Sequence, residues 1–96
     1  MRWLRADVRG PSMVPTLYDG DRVLVRRGAP VRAGDLVLAR FAGVDRLVVK
    51  RAVRPVDGAR WWLASDNPYA GGDSAVHGAA EVVAKVVWRY RPLRRR

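Results

Sequence analysis

The sequence predicts an all-β fold, a small barrel or sandwich with little helix. Three observations carry that expectation. The apolar stretches are short and rich in valine, a composition that suits strands. Turn-forming residues separate them at close intervals. No long segment repeats apolar residues at helical spacing.

The elements follow in chain order. The opening MRWLRADVRG has no apolar run of the kind a signal peptide carries. RGPSMVPTLYDGD (9–21) then reads as a loop, with room for a turn of helix over 14–18. RVLVRR (22–27) is the first predicted strand. DLVLARF (35–41), RLVVKRAV (46–53), RWWLASD (60–66) and EVVAKVVWRY (81–90) follow. Asp19-Gly20-Asp21, Gly28-Ala29-Pro30, Ala33-Gly34-Asp35, Ala42-Gly43, Asp57-Gly58 and Gly71-Gly72 supply the turns between them. Residues 79–83 read as strand or helix equally well. Alternation sends Val23 and Val25 to one side, with Arg22, Leu24 and Arg26 on the other. It also groups Val48, Lys50 and Ala52 on one face, with Leu47, Val49, Arg51 and Val53 on the other. Lys50 is thus set in an apolar strand.

Length and composition bound the rest. The 96 residues suffice for one small domain, expected over 1–91, with a basic tail at 92–96. Nearly half the chain is hydrophobic, enough for a modest core. It has no cysteine, which excludes disulfides and thiolate metal sites. The lone histidine, His77, cannot build a multi-histidine site, and it reads as a loop residue beside Gly78. No apolar run approaches the ~20 residues of a membrane span, so a soluble, cytoplasmic protein is expected.

The formal net charge is +10, and all but two of the 19 basic residues are arginine. The exceptions are Lys50 and Lys85. A GC-rich genome accounts for the arginines. It does not account for the lysine at position 50, and chemistry offers a reason. A serine hydroxyl becomes a nucleophile when a base takes its proton. Lysine can be that base if burial lowers its pKa from ~10.4 toward ~7–8. Arginine cannot, because it stays protonated at any accessible pH. Ser12, in a Gly-Pro loop, is the matching nucleophile, and its N–H is a candidate oxyanion donor. From spacing alone, a turn serine and a snorkelling strand lysine are the commoner case.

The motifs change that balance. Gly10-Pro11-Ser12-Met13-Val14-Pro15-Thr16-Leu17 resembles the serine box of type I signal peptidases, which are Ser/Lys peptidases. Asp19-Gly20-Asp21-Arg22-Val23-Leu24-Val25 resembles its continuation. Pro30 followed by Gly34-Asp35-Leu36-Val37 resembles the next box, and Leu47-Val48-Val49-Lys50-Arg51 the lysine box. Ser65-Asp66-Asn67, with Asp73-Ser74 beyond it, resembles the Asp-Asn region. The matches come in family order. Three positions depart: Ser65 stands for a glycine, Ala75 for an arginine, and Gly10 for a serine of some members.

The resemblance implies a signal-peptidase-like catalytic fold with Ser12 as nucleophile and Lys50 as general base. It places Gly10 and the Ser12 N–H at the oxyanion, with Asp66, Asn67, Asp73 and Ser74 in support. Met13 and Pro15 would meet the substrate. No metal or other cofactor is expected. Among such enzymes the chain, with no anchor before the serine box, is most similar to the maturation proteases of nickel-type superoxide dismutase. The implied partner is that protein's precursor, which would lose an N-terminal extension. The nickel belongs to the substrate.

Three other readings compete. An anchorless signal peptidase at a membrane surface would use the positive charge against anionic lipid. That reading expects apolar residues exposed near Ser12, whereas a polar rim would favour the soluble protease. A self-cleaving, repressor-type protein needs a cleavable segment and a DNA-binding domain ahead of the serine, and eleven residues precede Ser12 here. A basic nucleic-acid-binding β domain would stack bases on its four tryptophans, which form no recognisable platform. Nucleic acid is therefore not expected as a partner. Lys85 is the rival candidate for the base, and the lysine box prefers Lys50.

Overall fold

The computed structural model describes residues 2–91. The basic tail expected at 92–96 lies outside the described residues. Six strands form one antiparallel sheet: β1 (Trp3–Asp7), β2 (Arg22–Arg27), β3 (Leu36–Phe41), β4 (Val48–Asp57), β5 (Arg60–Ala64) and β6 (Ala80–Tyr90). The strand order is β1-β2-β6-β3-β4-β5, and β5 also pairs with β6. That last pairing closes β6, β3, β4 and β5 into a ring. β2 and β1 extend from it as a flap. The all-β expectation therefore holds. Among the described residues the sole helix is the one-turn α1 (Ser74–His77), and no helix is long and apolar enough to cross a membrane.

Period-two alternation builds two cores from the same strands. Val37, Ala39 and Phe41 of β3 join Ala52, Leu63 and Ala80 in one cluster, with Val48 and Trp61 packed against it. Leu38 and Val49, one residue out of phase, join Val23, Val25, Ala84 and Val8 in the other. Met13 and Leu17 complete this second core, which fastens the serine loop to the sheet. Each of these buried side chains contributes roughly 1.5–3 kcal/mol relative to exposure, so the loop is held by packing as well as by bonds. Long β6 serves both cores because its register shifts in both pairings: opposite Leu24/Val25 with β2 and opposite Leu38/Ala39 with β3. A bulge of this kind bends the strand and re-aims its side chains.

Several boundaries differ from the sequence expectation. The sequence expectation has no strand at Trp3–Asp7, whose side chains are mostly exposed and show no strict alternation of apolar and polar residues. β1 forms through its pairing with β2, where the Asp7 carboxylate meets Arg22 at 3.5 Å and Arg26 lies over Trp3. β4 runs on to Asp57 through Pro55, and its register with β5 slips on both sides of Arg54. Of the ambiguous residues 79–83, all but the first resolve as the start of β6. His77 is not a loop residue but the last residue of α1, with Gly78 as the cap that follows it. Residues 14–18 form a turn closed by the Leu17 N–H donating to the Met13 carbonyl at 2.8 Å. Trp61 packs on the ring core, and Trp62 lies under the Arg54 guanidinium.

Candidate active site

Lys50 and Ser12 meet. The Lys50 Nζ lies 2.7 Å from the Ser12 Oγ, across 38 residues of sequence. Lys50 sits near the start of β4, opposite Val37 of β3, and is only 4% exposed. Among the described residues no carboxylate lies within ion-pair distance of it. Burial pushes its pKa down, because the charged form loses solvation. The Asp73 carboxylate opposes that effect, and the Arg46 guanidinium reinforces it. Lys85 is differently placed: its ammonium pairs with Asp35 at 3.3 Å. It has no part in the serine contact.

A set of tethers fixes the serine loop. The Asn67 side-chain amide donates to the Pro11 carbonyl at 3.0 Å, and the Asn67 N–H donates to the Ser12 carbonyl at 2.9 Å. One residue thus holds the loop on either side of the nucleophile. Asp66 accepts from the Thr16 hydroxyl at 2.5 Å and from the Arg51 guanidinium at 2.6 and 3.2 Å. Arg51 in turn donates to the Gly34 carbonyl. Burial alone would raise the Asp66 carboxyl, but the Arg51 and Thr16 hydrogen bonds outweigh it and the net shift is downward. At the far end of the loop Asp21, itself buried, accepts from the Tyr18 N–H and from Arg91. Arg89 donates to the Thr16 carbonyl. Lysine strand, serine loop and the end of β6 are therefore bound together.

The remaining predicted residues take structural positions. Gly10 adopts φ +77°, a conformation that suits glycine, and its N–H donates to Asp19. Among the described residues the Ser12 N–H has no acceptor, so it is available to an oxyanion. Asp73 caps α1 by accepting from the Ala75 N–H, and it also accepts from the Ser65 N–H. Ser65, in the glycine position of the Asp-Asn box, donates its hydroxyl to the Gly71 carbonyl. Ser74 is buried and accepts from the Leu63 N–H at 2.8 Å. It orients β5 rather than contacting Ser12. Met13 lies in the core at 1% exposure, with its sulfur toward the Asp66 N–H, and forms part of the cleft floor. Pro15 is exposed and stands outside the cleft lining.

The cleft has a volume of about 670 Å³ and runs from β1 past Ser12 to the start of β4. Gly71 and Gly72 border it, and so does His77, whose ring stacks 5.0 Å from Phe41. Sequence reasoning missed Thr16, which ties the loop to Asp66. It also missed Arg46, whose position four residues before Lys50 was the available signal.

A scan against protein-family models matches residues 3–87 to the family described as Peptidase S24-like. The chain belongs to the S24-like peptidases. The match spans the serine loop, the lysine strand and the 66–74 segment alike. An S24-like chain is a serine peptidase in broad terms. A search of curated proteins returned no match.

Proposed function

We propose that this S24-like peptidase is a Ser/Lys endopeptidase that removes an N-terminal extension from a protein precursor in the cytoplasm. The observation that carries the reading is the 2.7 Å contact between the Ser12 hydroxyl and a buried lysine that has no carboxylate partner among the described residues. Neutral Lys50 takes the proton as the Ser12 Oγ attacks the scissile carbonyl. The Ser12 N–H meets the oxyanion that forms. The Lys50 ammonium then gives its proton to the leaving amine, leaving an acyl-enzyme. Water, deprotonated by Lys50, adds to the ester carbonyl; the bond to the Ser12 Oγ breaks, Lys50 returns the proton to that oxygen, and the new carboxyl end leaves. Asn67 and Asp66 hold the loop in attacking position without touching the reacting atoms.

The motif resemblance points to the nickel-type superoxide dismutase precursor as substrate. Incubation with that precursor, followed by sequencing of the new N-terminus, tests the assignment. Ser12→Ala should abolish cleavage while keeping the fold, since it removes one partly exposed hydroxyl. Cleavage by folded Ser12→Ala protein would defeat the nucleophile assignment.

A membrane-surface signal peptidase has one observation in its favour. Leu4 and Leu47 border the cleft and are 44% and 37% exposed. Cleavage that requires anionic vesicles would support it. Cleavage in their absence supports the soluble reading.

A further inference from the structure

Charge is unevenly spread around the cleft. Arg9 precedes the serine loop, and Arg46 precedes the lysine strand. Both are exposed and both border the cleft. Many other arginines here are tied: Arg22 to Asp7, Arg51 to Asp66, Arg60 to Asp57 and Arg91 to Asp21. Among the described residues Arg9 and Arg46 have no such carboxylate. The one acidic residue bordering the cleft is Asp7, already paired with Arg22. Asp45, beside Arg46 in sequence, lines a separate hollow with Arg40, Arg60 and Glu81.

Arg5 of β1 borders the cleft too and, among the described residues, likewise has no carboxylate. Three guanidinium groups thus line the mouth of a polypeptide-sized cleft, of which Arg9 and Arg46 flank the serine loop and the lysine strand and form a recognition device. Each presents a planar fork of donors that matches a carboxylate. Arg46 sits where a positive charge is costly for the site itself. Arg46 reaches Lys50 electrostatically, and among the described residues no carboxylate pairs with Arg46. A cleft lined by one sign of charge also raises the local concentration of the opposite sign.

Resting on the peptidase reading, we propose that Arg46 and Arg9 select polypeptides with an acidic side chain close to the bond that is cut. Arg46 serves the position nearest Lys50, and Arg9 a position beyond Ser12. A nucleic acid strand is the rival polyanion, but the cleft offers a base little to stack on. Among the described residues its aromatic lining is Phe41, buried in the ring core, and His77 stacked on it.

The test uses short peptides with Asp, Asn or Lys placed in turn at each position around a common cleavable bond. Binding to Ser12→Ala protein is read by fluorescence anisotropy, and cleavage by the active protein is read as kcat/KM. Asp should be favoured over Asn about fivefold, the scale of a partly exposed ion pair. The preference should appear in both readouts, rest on KM, and shrink as salt rises. Arg46→Gln should bring the ratio near one at its position, and Arg46→Glu should favour Lys there. Arg9→Gln should do the same at a different position. Equal treatment of Asp and Asn, or a ratio unchanged in both variants, overturns the proposal. So does inhibition by single-stranded RNA that is equal for acidic and neutral peptides and lost in Arg46→Gln. Selective binding without any cleavage would support the selectivity and instead defeat the Ser/Lys reading.

Discussion

Replacing Lys50 separates a base from a structural cation. Lys50→Met keeps an unbranched side chain in a site that is 4% exposed, and removes the titrating group. Lys50→Arg keeps a charge that cannot leave. Loss of a general base costs about 10²- to 10⁴-fold in rate, so both variants should be close to inactive. Their stabilities should diverge. A permanent buried charge with no carboxylate partner costs about 3–5 kcal/mol, so the Arg variant should be weakened. The Met variant should equal or exceed the wild type near neutral pH. The sign follows from the lowered pKa of Lys50. Between its folded value and the unfolded value near ~10.4, the unfolded chain holds a proton that the folded chain has released. Stability therefore rises with pH across that window, by at most about 1.4 kcal/mol per pH unit. Below the folded value the penalty is complete and constant. Urea melts of wild type and Lys50→Met, from about pH 6 to about pH 10, isolate this term because other groups cancel in the difference. Wild type should gain on the Met variant as pH rises. A difference that is flat or falls would refute the claim that burial lowers this lysine. Near-normal cleavage by Lys50→Arg at matched folded fraction would refute its role as base, as would an inactive Lys85→Arg control.

Two further outcomes concern the tethers. Asp66→Asn should destabilise by about 2 kcal/mol at neutral pH, because a partly buried guanidinium loses its carboxylate. The lowered Asp66 pKa means this contribution is present above about pH 4 and is lost as pH falls through the folded value, so acid unfolding should begin at higher pH in the variant, as followed by circular dichroism. Asn67→Ala should lower kcat more than it lowers melting temperature, since its two bonds hold the backbone around Ser12; an unchanged kcat in steady-state assays would show the loop is positioned without it.

The pairing of Ser12 with Lys50 was legible because a rare lysine on an apolar strand raised the question and the serine-box and lysine-box motifs, in family order, answered it against the commoner reading of a turn serine and a snorkelling lysine. β2 and the apolar halves of β3, β4 and β6 were legible from alternation, which period-two burial enforces. Elements held by pairing were not. Trp3–Asp7 becomes a strand because β2 accepts it. β4 continues past Val53 because β5 returns alongside it. The helix at Ser74–His77 is a single turn set by the Asp73 cap, too short for any periodic signal. Asp66 and Asp73 illustrate a different limit. Motif spacing marked both as supporting residues, but only the folded chain shows Asp66 gripping Thr16 and Arg51 while Asp73 acts on Lys50 through space.

The position of β1 has a consequence of its own. It stands at the end of the strand order and, among the described residues, pairs only with β2. Its other margin keeps a row of unclaimed backbone donors and acceptors, the feature by which sheets recruit stray chains. Most proteins hide such a margin. Here it lies beside the cleft proposed for proteolysis, where a visiting chain is the thing to be handled. Two copies meeting antiparallel about its centre would set Arg5 against Arg5, and like charges facing each other across strands repel. The margin thus discourages its own twin while staying open to a guest of different charge.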